Sequence, residues 1–160
     1  MSEIKNLALT PVIITCIDVN NASSRALNYA CLKAKKMNFD LLILAVTEAS
    51  YKNMMFGARA IAQDRRQQIE KNIKKLTDEI NQRLGITPKV SIREGEIMTE
   101  IIREIKSTPN CAMLVLGKSH NSLSDNTVLP KVAQKIGNKI KVPVTIVPEN
   151  LSDEFLEKLV

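Results

Sequence analysis

The sequence predicts a single-domain, doubly wound α/β fold: a five-stranded parallel sheet with four flanking helices, plus a short C-terminal helix. Three observations carry this prediction. The apolar runs at 11–17 (largely β-branched), 41–47 and 112–116 have the length and apolarity of strands buried on both faces. The segments between them repeat apolar residues at helical spacing and are long enough to serve as crossovers. Gly, Pro, Asn and Asp punctuate the joins. Parallel neighbours need such crossovers, and right-handed ones dominate, so the alternation implies one wound sheet.

The elements follow in order. The run PVIITCI ends at Asp18, and VNNASS then offers several N-cap residues. Ala26, Leu27, Ala30, Cys31, Ala34 and Met37 form the inward stripe of a first helix over 22–37. A second strand occupies 41–47. Residues 48–57, with Tyr51, Met54, Met55 and Phe56, show no period and read as a loop packing its apolar side chains. A long helix over 59–84 follows, with Ile69, Ile73, Leu76, Ile80 and Leu84 inward and Gly85 at the position past its end. The alternation KVSIR at 89–93 predicts a strand with one exposed face. EGE leads into a helix carrying Ile97, Ile101, Ile102 and Ile105, closed by Pro109. The spacing of Val128, Leu129, Val132, Ala133, Ile136 and Ile140 predicts a helix over 127–140. Residues 144–147 form the last strand. Leu151, Phe155, Leu156 and Leu159 mark a short helix that either crosses to a second copy or folds back on its own chain.

Composition narrows the function classes. At 160 residues, 44% hydrophobic and 25% charged, the chain has the size of one domain spanning 1–160, with its core at 11–148 and a helical tail at 150–160. The longest uncharged apolar run is far below the roughly 18 residues that span a bilayer. The N-terminal stretch lacks a signal-peptide pattern, so a cytoplasmic location and no membrane partner are expected. Three cysteines with no CxxC spacing read as buried small hydrophobes. One histidine excludes a zinc site built on several imidazoles, and no metal is expected. The net charge of +6 invites a nucleic-acid reading. Against it, bases and acids mix along 64–79 and aromatics are 3% of the chain, too few for a stacking platform. A basic module binding nucleic acid or an acidic protein is therefore the weaker alternative.

Ligands of wound sheets bind beyond the carboxyl ends of the strands, where strand order reverses. Asp18 and Gly117 each end a buried run and are natural walls of one crevice. His120 beside Ser119 lacks an orienting third group, so no catalytic residue is expected.

Three segments resemble the universal stress protein family: ITCIDVNNASSRALNYACLKAKKMNFDLLILAV, SIREGEIMTEIIREIKS, and the closing MLVLGKSHNSLSDNTVLPKVAQKIGNKIKVPVTIVP. The resemblance implies a Rossmann-like fold of the adenine nucleotide alpha hydrolase type and a stress-response role. Members that bind ATP with Mg²⁺ carry Gly, two residues, Gly, nine residues, then Gly and Ser or Thr after the fourth strand. Glycines let phosphates approach the backbone N–H groups. This chain keeps Gly117 but has His120, Pro130 and Lys131 at the other three positions. The resemblance thus implies a degenerate crevice lined by Asp18, Val46, Gly117, Lys118, His120, Lys131 and Val132. Its phosphate side would rest on lysines and the hydroxyls of Ser119, Ser122 and Ser124. ATP-binding members with weak or no hydrolysis supply the second reading. The VPVTIVP ending implies a homodimer through Val144, Thr145, Ile146 and Val147, and a regulatory protein partner whose identity the sequence does not give.

Overall fold

The computed structural model describes residues 9–18, 25–47, 58–118 and 125–160. The chain runs β1 (Val12–Ile17), α1 (Arg25–Met37), β2 (Asp40–Thr47), α2 (Ala58–Leu84), β3 (Lys89–Glu94), α3 (Ile97–Ser107), β4 (Cys111–Lys118), α4 (Asp125–Lys135), β5 (Val144–Pro148) and α5 (Asp153–Leu159). The five strands form one sheet in the order β3-β2-β1-β4-β5, every neighbouring pair parallel. The order reverses between β1 and β4, which sets the crevice between their carboxyl ends.

The sheet is buried on both faces because β1, β2 and β4 carry apolar residues at successive positions. One face packs Ile13, Ile17, Ile43 and Val115 against α1 and α2, the other packs Val12, Ile14, Leu44 and Leu114 against α3 and α4. In α1 the small residues Ala26, Ala30 and Ala34 are buried and let the helix sit close to the sheet, while Met37 at its end is exposed. In α2, Ile69, Ile73 and Ile80 are buried, whereas residues 59–68 are exposed. Gly85 terminates α2 as its position suggests, with φ 71° and its N–H donating to the Asn81 carbonyl at 2.8 Å. Residues 19–24, 48–57 and 119–124, including the loop of Tyr51 and Phe56, lie outside the described residues.

Two expectations are corrected. The helix predicted over 127–140 begins at Asp125 and stops at Lys135. Gly137 takes φ 83°, and the Lys135 carbonyl accepts from the N–H groups of Asn138, Lys139 and Ile140 at 3.3, 2.8 and 2.9 Å. That turn still buries Ile140 but leaves Ala133 and Ile136 exposed. The polar face of β3 is only partly solvated. Ser91 and Arg93 meet the buried carboxylates of Glu100 and Glu104 on α3, and the exposed residues of that strand are Lys89, Val90 and Glu94.

The tail question resolves within the chain. α5 lies against its own α1, with Leu156 buried in the core and Asp153 paired to Arg25. Lys36 donates to the Val160 carbonyl, so α5 runs parallel to α1. Among the described residues no helix is long and apolar enough to cross a membrane.

Candidate functional site

The crevice is built from the carboxyl ends of four strands. The β1–β2 register pairs Ile17 with Ala45, so Asp18 continues it onto Val46. Neighbouring strands lie about 4.8 Å apart, which puts Asp18 beside Val46 on one side and the end of β4 on the other. Asp18 is exposed and Val46 half-buried.

Gly117 has a different local role from the one its loop-like setting suggests. It lies inside β4, paired with Val147, and Lys118 pairs with Pro148. A Cβ added at Gly117 would stand 3.2 Å from the Ala26 Cβ and 3.4 Å from Glu149 Oε1. Its missing side chain therefore serves close packing of α1 on the sheet at the crevice floor.

The third wall is the β3–α3 turn. Gly95 takes φ 150° and donates its N–H to the Thr47 carbonyl at 2.9 Å, which ties this turn to the end of β2. Any side chain at Gly95 would be strained and would meet Glu100 Oε1 at 2.9 Å. Glu96 then caps α3: its carboxylate accepts from Met98 N at 3.1 Å, Thr99 N at 2.8 Å and Thr99 Oγ1 at 2.8 Å. Partial burial pushes its pKa up, but the Thr99 and Met98 hydrogen bonds and the nearby Lys131 outweigh this and hold it below the ordinary carboxylate value.

Lys131 reaches across from α4 to Glu96 Oε1 at 3.9 Å. The cation that stands at the family's hydroxyl position thus faces a carboxylate fixed by three hydrogen bonds. Pro130 lies in the second turn of α4 and offers no N–H. The side chain of Val132 is fully buried in the core at 0% exposure, so it presents no surface to a ligand. His120, Ser119, Ser122 and Ser124 lie outside the described residues. Asp18, Val46 and Gly117 are thus brought together at adjoining strand ends, and Lys131 is brought to Glu96. The strand ends thus offer an exposed carboxylate and backbone, while Lys131 is already faced by the Glu96 carboxylate. Sequence reasoning missed Glu96; its signal was the acid following a glycine two residues before an apolar helical run.

The matching family pattern covers residues 11–148 and is that of the universal stress protein family. The chain belongs to the universal stress protein family. The solved UspA of Lactobacillus plantarum is 14% identical and superposes with a TM-score of 0.66 over 86% of this chain and 97% of its own. A universal stress protein from Burkholderia pseudomallei is 15% identical, with a TM-score of 0.58 over 88% of this chain and 98% of its own. A universal stress protein solved in complex with cAMP is 17% identical, with a TM-score of 0.53 over 88% and 98%. These likenesses establish the fold. A search of curated protein sequences returns no match.

Proposed function

We propose that this chain acts by binding and regulation, without catalysis of its own, as a cytoplasmic homodimer paired through β5. Its crevice keeps the adenine-facing wall of Asp18 and Val46 and has lost the phosphate cradle. The observation that carries this reading is the Glu96–Lys131 contact at 3.9 Å, which puts a fixed carboxylate beside the phosphate position. An anion entering there displaces Glu96 from Lys131 or meets its charge, and Pro130 and His120 replace groups that would donate or leave room. The cAMP complex of a structurally similar protein supports the surviving adenine side, with one phosphate instead of three as the better-matched ligand.

Calorimetry with ATP and Mg²⁺ tests the loss of the cradle. We expect a dissociation constant weaker than about 1 mM, where the binding free energy falls to about −4 kcal/mol. Restoring His120→Gly, Pro130→Gly and Lys131→Ser together should tighten ATP at least tenfold. Sub-millimolar binding by the unaltered chain would overturn the reading and favour the ATP-binding alternative.

A further inference from the structure

The topology gathers basic residues at one end of this molecule. Each of α1 to α4 leads into the next strand, so their carboxyl ends gather at the amino ends of the strands. Basic residues close these helices there: Lys35 and Lys36 on α1, Lys106 on α3 and Lys135 on α4. Lys139 and Lys141 follow in the turn before β5, both exposed. No acidic residue occurs between Asp125 and Glu149. The opposite end, at the crevice, is mixed: Asp18, Glu94, Glu96, Glu149 and Asp153 stand with Arg25, Arg93 and Lys131.

Cations in a last helical turn complement the helix dipole and need no ligand to explain them. Lys139 and Lys141 lie beyond α4, so that account does not cover them. The acids near this end are few: Asp40 is engaged by Lys89 at 3.8 Å, and Glu157 lines the α1–α5 groove with Lys35 and Lys36. Lys36 is held by the Val160 carbonyl. Mixed charge along the flank of α2, which weighs against nucleic acid in the sequence, does not extend to this end.

We propose that the amino-strand end of the sheet is a docking surface for the phosphate backbone of duplex nucleic acid. Five strands at about 4.8 Å spacing span roughly 20 Å, enough to face about six phosphates of one strand. The cations belong to several elements on both faces of the sheet, so they lie around this end and not along a single helix. A membrane-surface helix would instead show one apolar and one basic face of a single element. Lysines act as point charges, and no aromatic residue accompanies Lys135, Lys139 and Lys141 between 126 and 148. Binding should therefore be independent of base sequence and strongly salt-dependent.

The test is fluorescence anisotropy of a labelled 20-base-pair DNA duplex with the full chain. With about four phosphates neutralised, affinity should fall about a hundredfold between 50 and 200 mM salt. Lys35→Glu with Lys106→Glu, and separately Lys139→Glu with Lys141→Glu, should each weaken binding at least tenfold and flatten the salt slope by about two. Lys74→Glu with Lys75→Glu on the flank of α2 makes the same change in net charge and should leave affinity within about twofold, with all three variants melting as folded protein. Three results would overturn the proposal: no binding at 50 mM salt, an equal loss in the α2 variant, or binding to vesicles containing phosphatidylserine but not to the duplex.

Discussion

Thr15 sits in the middle of β1 with its side chain fully buried and its hydroxyl without a hydrogen-bond partner among the described residues. It shares a face with Ile13 and Ile17 and lies in register with Ile43 on β2 and Val115 on β4. A buried hydroxyl that makes no hydrogen bond costs about 1–3 kcal/mol, and valine has nearly the same shape. Thr15→Val should therefore stabilise the fold by about 1 kcal/mol, read as a higher urea midpoint at unchanged m-value. A lower midpoint would mean the hydroxyl is satisfied in solution. The nearby thiols show the opposite case, polar groups that cost little. Burial pushes Cys31 up to about 11 and, with Asp18 adding to burial, Cys16 up to about 12, so both stay protonated. Their apolar surroundings were readable from sequence spacing. Thr15 was not, because one hydroxyl in a β-branched run is indistinguishable from the valine that would fit there.

At the scale of elements, α3 depends on one carboxylate. Glu96 supplies acceptors to two first-turn N–H groups and the Thr99 hydroxyl, and an N-cap of this kind is worth about 1 kcal/mol. Its folded pKa lies below the ordinary value, so its contribution is fully present above the carboxylate range and lost as pH falls through the folded pKa. Glu96→Ala should thus destabilise the protein by about 1 kcal/mol at neutral pH. In parallel denaturant titrations, the gap between the variant and the unaltered chain should close below about pH 4. A gap that persists unchanged in acid would show that the charge contributes nothing. Elements with long periodic stripes, such as α2, were legible in the sequence, and so was the doubly wound order. The carboxyl half of α4 was not: Ile136 and Ile140 keep helical spacing, yet Gly137 turns the chain between them. The Glu96–Lys131 contact joins residues 35 positions apart, on two helices whose approach only the assembled sheet determines.

At the scale of the whole molecule, β5 forms one edge of the sheet and nothing in the described chain pairs with its outer side. Ile146 on this strand is 47% exposed, between Pro143 and Pro148, which lack the N–H groups that would extend pairing further. An apolar edge with free backbone groups is an association hazard unless covered. In the proposed dimer a second copy of β5, laid antiparallel, would cover it in a closed, two-fold assembly. Ile146→Lys places a charge in the shared edge and meets its own symmetry mate there. Sedimentation should show a dimer for the unaltered chain and a monomer for Ile146→Lys at about 10 μM, a shift of at least tenfold in dissociation constant, or about 1.4 kcal/mol. A monomeric unaltered chain, or a dimer untouched by the lysine, would place the interface elsewhere and leave β5 an edge guarded by its prolines.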